Sequence, residues 1–300
     1  HFIGIGGISM SGLAEILLKE GFTVSGSDTK ESPLTKKLVS EGAHIIYGQK
    51  VENITRDIGC VVYTAAINRN NPELIEAVAL KIPMLTRAEL LGQLMKNYDT
   101  PIAVSGTHGK TTTTSMISHI LLEGDLDPTI SVGGILKAIG GNIRVGNSGT
   151  FITEACEYTN SFLHFFPKIS VILNIEEDHL DFFKDLEDIR HSFHQFAELL
   201  PEDGTLIINA EIKDYAEIYE GLSCNVVTYG TNGCFDYSAK NITYDENGHV
   251  AFDLFRRGEY ADHIQLSVTG DHNVSNALSA IAVADILGLS IDITKRGLLS

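Results

Sequence analysis

The sequence is short of basic residues: 22 Lys and Arg stand against 39 Asp and Glu in 300 positions, a formal charge of −17. Duplex DNA and acidic membrane surfaces are bound through clusters of Lys and Arg that neutralise phosphate, so this balance excludes nucleic acid as the main partner while leaving room for a local anion site. No apolar run approaches the ~18 residues that cross a bilayer, which argues against membrane insertion. No basic start with a small-residue cleavage site marks a signal peptide. The four cysteines, Cys60, Cys156, Cys224 and Cys234, are widely spaced with no C-x-x-C pair; reduced thiols and a cytoplasmic location are expected. Repeats and low-complexity tracts are also absent. The chain lacks an initiator Met before His1 and stops at Ser300, inside what reads as a helix begun near Ile293. A fragment of a longer protein is expected.

The composition, 43% hydrophobic and 20% charged, is that of a folded globular chain, and at roughly 150 residues per domain the length suggests two domains. From Phe2 to about Met95, short apolar runs alternate with amphipathic stretches. Strands are expected at Phe2–Ile5, Thr23–Ser27, Ala43–Tyr47, Cys60–Tyr63 and Pro83–Leu85, and helices at Ile8–Glu20, Pro33–Glu41, Pro72–Leu80 and Arg87–Lys96. Such alternation implies a parallel sheet covered on both faces. The polar stretch Asn97–Pro101 breaks the pattern, which sets the expected domains at 1–99 and 100–300. In the second, strands are expected at Ile102–Ser105, Thr150–Thr153, Ile169–Asn174, Gly204–Asn209 and Asn225–Tyr229, with helices at Thr112–Glu123, Leu186–Leu200 and Val274–Gly288. Alternating residues between Phe235 and Val268, with Asn247-Gly248 as a hairpin turn, predict an antiparallel flap.

The strongest local motif is Ser105-Gly106-Thr107-His108-Gly109-Lys110-Thr111-Thr112, between an apolar strand and a helix. A phosphate loop needs glycines that let backbone N–H groups face phosphate, a Lys for the terminal phosphates and a hydroxyl for Mg²⁺. All three are present, in a short G-x-x-G-K-T form, since the longer spacing would need Gly where Val104 stands. ATP is the expected ligand. The first strand–helix turn carries Gly4, Gly6, Gly7, Ser9 and Ser11, a dinucleotide-type fingerprint without its third glycine, and Asp28 ends the second strand. These residues accommodate a diphosphate on a helix N-terminus without naming the nucleoside, and a ligand-free packing cluster stays open.

Three further segments are ambiguous. Asn174–Asp181 gathers carboxylates with His179 after a buried strand, and suits either a hard cation or an acidic helix N-terminus. Thr153–Glu157 places Glu154 and Glu157 at another strand end, where an isolated Glu is usually a solvated rim residue. His272, Asn273 and Asn276 precede an Ala-rich helix, where Asn locally reads as a cap.

Taken in order, the segments His1–Gly12, Val24–Asp28, Arg87–Leu91, Val104–Thr113, Glu154–Leu163, Asn174–Asp181 and Gly270–Ala277 resemble the Mur ligase family, and most closely its alanine-adding branch. The likeness runs over essentially the whole chain. It implies an α/β protein with a Rossmann-like parallel-sheet domain followed by a P-loop-type ATPase domain, and a third domain beyond this chain. It assigns Gly4, Gly6, Gly7, Ser9, Ser11 and Asp28 to a UDP-sugar. Gly106 to Thr112 (Gly106, Thr107, His108, Gly109, Lys110, Thr111, Thr112) fall to ATP, together with His272, Asn273 and Asn276. Catalytic roles fall to Lys110, Glu154 and His179, and Mg²⁺ to Thr111, Glu154 and His179. Cys156 stands where many relatives have Asp, and no lysine follows His179 where several siblings carry a carbamylated one.

The activity this implies is ATP-dependent joining of L-alanine to UDP-N-acetylmuramate in peptidoglycan synthesis, through an acyl phosphate. The fragment alone is expected to bind ligands without appreciable turnover. A recycling ligase that adds a preformed peptide to the same UDP-sugar is the sibling alternative; Tyr63–Asn68 and the opening glycine turn favour the alanine-adding form. A NAD-dependent oxidoreductase would use the first glycine turn but leaves the Gly106–Thr112 loop without a purpose, and a non-catalytic nucleotide sensor is the third possibility.

Overall fold

A computed structural model describes residues 1–64 and 66–300; Ala65, within the Tyr63–Asn68 segment, lies outside the described residues. The chain forms two compact units, His1–Leu94 and Met95–Ser300. The second begins five residues before the expected 100. Apolar packing explains the difference: Tyr98 stacks on Phe151 with ring centroids 5.0 Å apart, and its hydroxyl bonds Thr129 at 3.2 Å. No helix among the described residues is long and apolar enough to cross a membrane.

The first unit holds five parallel strands, β1 (Phe2–Ile3), β2 (Ser25–Asp28), β3 (His44–Tyr47), β4 (Val61–Tyr63) and β5 (Met84–Thr86), in the order β3-β2-β1-β4-β5. Helices α1 (Ile8–Lys19), α2 (Pro33–Ser40), α3 (Pro72–Ala79) and α4 (Arg87–Met95) connect them. Local chemistry starts two of these helices. Ser32 caps α2 through a reciprocal capping box with Thr35, and Asn71 caps α3 by accepting from Glu73 N and Leu74 N, each with Pro at the first turn. The strand order reverses at β1, which puts the glycine turn after β1 at a topological switch point, where open α/β sheets bind ligands. Beneath it, fully buried Glu73 accepts from Ser27 Oγ at 2.5 Å and Asn53 Nδ2 at 2.6 Å, tying α3 to the end of β2.

The second unit has a ten-stranded sheet in the order β15-β14-β13-β12-β11-β10-β6-β9-β7-β8. Strands β6 (Thr100–Ser105), β9 (Thr150–Ala155), β10 (Ile169–Ile172), β11 (Thr205–Asn209) and β12 (Asn225–Gly230) are parallel. The expected antiparallel flap is formed by β13 (Tyr237–Tyr244), β14 (His249–Arg256) and β15 (Glu259–Thr269), with Gly248 at φ +81° in the turn. Two strands were not foreseen: β7 (Thr129–Leu136) pairs parallel with β9 and antiparallel with β8 (Gly141–Arg144). Glycines at 133, 134, 140 and 141 break the apolar run that would have marked them. Arg144 secures their base by bonding Pro128 O at 2.7 Å and the Asp127 carboxylate. The hydrogen bonds from Arg144 and Asn147 hold the Asp127 carboxyl down, to about 2.

Helices α5 (Lys110–Glu123), α7 (His272–Ile286) and α8 (Ile291–Leu299) bury Ile117, Ile120, Leu121, Val274, Ile281 and Leu298 against one sheet core. Elsewhere α6 (Leu186–Glu198) packs Phe196 flat on Phe162, centroids 4.6 Å apart, with Phe193 edge-on at 5.4 Å. Helices α5 and α8 meet at Gly297, where an added Cβ would lie 2.5 Å from Ile120 Cα. Ala is favoured over Gly by ~1 kcal/mol within a helix, but overpacking against immovable backbone costs about 1–3 kcal/mol, and more at so short a distance. Gly297→Ala is therefore expected to lower stability by about 2 kcal/mol in urea denaturation; an unchanged or raised midpoint would show that the two helices part freely.

Candidate functional site

In the second unit, β6 lies where the connections turn to opposite sides of the sheet, and its end runs directly into the loop Gly106–Gly109 and then α5. The helix begins at Lys110, two residues before the expected Thr112. Gly106 (φ +147°) and Gly109 (φ +86°) adopt backbone conformations that L side chains rarely take. Space demands glycine as well: a Cβ on Gly106 would lie 2.9 Å from Leu173 Cβ, and one on Gly109 would lie 2.9 Å from Asn276 Oδ1. The loop is fixed from the end of β10. Asn174 accepts from His108 N at 2.7 Å and donates to His108 O at 3.0 Å, while Thr107 Oγ1 accepts from Glu176 N at 3.0 Å.

Thr107, His108, Gly109, Lys110, Thr111 and Thr112 line a cleft of about 260 Å³ at the start of α5. A glycine N-cap leaves the first turn without a side-chain cap, and a helix N-terminus favours an anion there. Deeper in, Ser105 Oγ and Thr113 Oγ1 are buried without a partner among the described residues. The donor-rich loop, the lysine and the exposed Thr111 and Thr112 suit a polyphosphate with its Mg²⁺.

Lys110 folds back over the loop. Its Nζ donates to Gly106 O at 2.5 Å and Thr107 O at 3.2 Å, and lies 3.0 Å from Glu157 Oε2 and 3.2 Å from Glu157 Oε1. Glu157 is 2% exposed, which corrects the expectation of a solvated rim residue. The sequence signal was its spacing, three residues after Glu154 across a strand end. Glu157 also brings in His179, whose Nε2 is 3.9 Å from its Oε1. The Tyr158 ring lies tilted by 30° against His179 with centroids 4.4 Å apart, and its hydroxyl donates to Asp181 at 2.8 Å. Thr159, Asn160 and His179 all have φ between +53° and +56°, a strained cluster for residues other than glycine, of the kind that collects at functional sites.

Glu154 is held separately. Its Oε1 accepts from Gly133 N at 2.6 Å, and a Cβ on the next residue, Gly134, would lie 3.3 Å from Thr111 Cγ2. The unforeseen strand β7 thus lies beside both Glu154 and Thr111. No group of three or more His, Cys, Asp or Glu that could hold a metal occurs among the described residues. A Mg²⁺ would take much of its oxygen shell from phosphate and water, as this ion commonly does.

Two sequence alternatives are resolved by the geometry. Asn174–Asp181 is not a helix N-terminus, because the next helix, α6, starts at Leu186 with Asp185 as its cap. Asn273 and Asn276 are not caps: Asp271 holds the N-cap position of α7, and both Asn side chains are buried inside the helix. Asn276 Nδ2 donates to Asn273 Oδ1 at 2.9 Å, and Asn273 Nδ2 to Thr269 O at 2.8 Å, which sets Asn276 against Gly109. His272 is exposed, its ring against Gly270.

In the first unit, Gly4 turns the chain at φ +80°, and Gly4 N and Ile5 N both donate to Ser27 O, at 2.8 and 3.0 Å. Asp28 Oδ2 accepts from Gly6 N at 2.8 Å, and Oδ1 from Thr29 N at 2.7 Å. A Cβ on Gly6 would lie 2.7 Å from Asp28 Oδ2, so Asp28 shapes the turn. Gly7 is the N-cap of α1 and offers no side chain. Ser9 Oγ accepts from Arg87 at 3.0 Å, and Ser11 Oγ donates to Ile8 O at 2.9 Å.

The Mur ligase middle domain matches residues 104–284, and the Mur ligase family catalytic domain matches residues 1–99. The UDP-N-acetylmuramate–L-alanine ligase of Agathobacter rectalis is 61% identical over 298 residues, 99% of this chain and 65% of that one. The chain thus spans about two thirds of that relative's length. Among solved structures, the UDP-N-acetylmuramate:L-alanyl-gamma-D-glutamyl-meso-diaminopimelate ligase from Neisseria meningitides is similar at a TM-score of 0.88 and 29% identity, covering 99% of this chain and 96% of that one. The UDP-N-acetylmuramate-alanine ligase from Thermotoga maritima matches at 0.83 and 29%, covering 99% and 67%. With both family models matched and a relative 61% identical over 99% of this chain's length, the chain belongs to the Mur ligase family.

Proposed function

We propose that this chain is the UDP-sugar-binding and ATP-binding part of a cytoplasmic ligase that joins L-alanine to UDP-N-acetylmuramate in peptidoglycan synthesis. The observation that carries the reading is the Gly106–Lys110 loop, which brings two glycines in left-handed conformations and a lysine to the uncapped start of α5. Identity of 61% with a relative named for this reaction supports the choice of amino acid. The glycine turn of the first unit, Gly4, Gly6, Gly7, Ser9 and Ser11 with Asp28, would hold the diphosphate of the UDP-sugar at the start of α1. The domains of the reading are 1–99 for the UDP-sugar and 100–300 for ATP.

A carboxylate is a poor acylating agent, so the reaction first makes it a good one. A carboxylate oxygen of UDP-N-acetylmuramate attacks the γ-phosphorus of ATP, and ADP leaves. The amine of L-alanine then attacks the acyl carbon of the resulting acyl phosphate, losing a proton, and inorganic phosphate departs as the amide forms. Two anions meet in the first step, and Lys110 lowers their repulsion. Mg²⁺, bound through Thr111, Glu154 and His179, would neutralise further phosphate charge. Asn273, Asn276 and His272 would contact the nucleotide beside the loop.

In the protein at the full length of its relatives, Lys110→Ala is expected to lower kcat by about 10²-fold or more while affinity for UDP-N-acetylmuramate stays near wild type. A variant that keeps most of its kcat would remove the loop from the reaction. Glu154→Gln and His179→Ala are each expected to raise the Mg²⁺ concentration for half-maximal rate by about tenfold; an unshifted Mg²⁺ curve makes both residues structural. Calorimetric titration of the 300-residue chain should show saturable binding of UDP-N-acetylmuramate and none of NADH, and the reverse result would restore the oxidoreductase reading. The fold is shared with the peptide-adding ligase from Neisseria, so turnover with L-alanine against turnover with a tripeptide separates the two branches.

A further inference from the structure

Lys110 Nζ carries three protons and meets four oxygens within 3.2 Å: Gly106 O, Thr107 O and both oxygens of Glu157. Its bonding capacity is filled from inside the protein. A phosphate that recruits this ammonium must draw it from Glu157, whose side chain is 3% exposed. A buried carboxylate that loses its cation is strongly disfavoured. The nearest cation able to replace it is His179, 3.9 Å away and only if protonated, or a divalent ion entering beside it.

We propose that Glu157 is a positioning residue that makes release of Lys110 to the nucleotide conditional on arrival of a second cation. Metal-free ATP must compete with Glu157 for the lysine and leaves the carboxylate stranded. With Mg²⁺, the new positive charge compensates Glu157, and the lysine turns to the phosphates. Glu157 therefore couples nucleotide affinity to the metal without touching either substrate. This rests on the reading of the loop as an ATP site.

The test is calorimetric titration of the full chain with ATP, once in excess EDTA and once in Mg²⁺, for wild type, Glu157→Gln, Lys110→Met and the double variant. Glu157→Gln keeps the side-chain volume and removes the charge. It is expected to bind metal-free ATP about tenfold more tightly than wild type, to narrow the gap between the two conditions by the same factor, and to lose this gain in the double variant. Metal-free affinity at or below wild type in a folded Glu157→Gln overturns the inference while Lys110→Met, still weaker than wild type, keeps the ATP site. Equal ATP binding by Lys110→Met and wild type removes the lysine from the nucleotide and defeats both readings. Should melting curves show Glu157→Gln unfolded, Glu157→Asp draws the charge back by one methylene, and the absence of any metal-free gain in that variant overturns the inference equally.

Discussion

The grip of β10 on the loop after β6 is the interaction on which the second unit's chemistry depends. Asn174 bonds both the backbone N–H and the backbone carbonyl of His108, and Thr107 is held to Glu176. The loop backbone therefore enters α5 from a fixed frame, with the Thr107 and His108 N–H groups already bonded to Asn174. The same grip explains the glycines. Gly106 lies so close to Leu173 and Asn174, and Gly109 so close to Asn276, that any side chain would push the loop off the strand end that positions it.

Charge follows from this placement. The chain is acidic overall, and the site is no exception, with Glu154, Glu157, Glu176, Asp178 and Asp181 on the segments beside the loop. An anionic substrate enters such a place only with cations to accompany it. Lys110 supplies one, already engaged by Glu157, and in the proposed reaction a Mg²⁺ would supply more.

Much of this was legible in the sequence because the elements are local. Strand alternation, the glycine turn and the G-x-x-G-K-T loop each lie within a dozen residues, and the antiparallel flap announced itself through Asn247-Gly248. What was hidden depends on contacts between distant segments. Glu157 reads as a rim residue until the fold sets it against Lys110, 47 positions earlier. Strands β7 and β8 were masked by their glycines, yet it is Gly133 that holds Glu154. Asn273 and Asn276 read locally as caps, and only the fold puts Asn276 against Gly109. The family resemblance corrected that last reading, but it said nothing of Glu157.

The measurement that tests the central claim most directly is ADP release by the protein at the full length of its relatives, with UDP-N-acetylmuramate and L-alanine added separately and together. The account predicts sustained ADP release only when both are present with Mg²⁺, matched mole for mole by a UDP-sugar carrying one new amide. ADP release indifferent to either substrate, or none with both present, would contradict it.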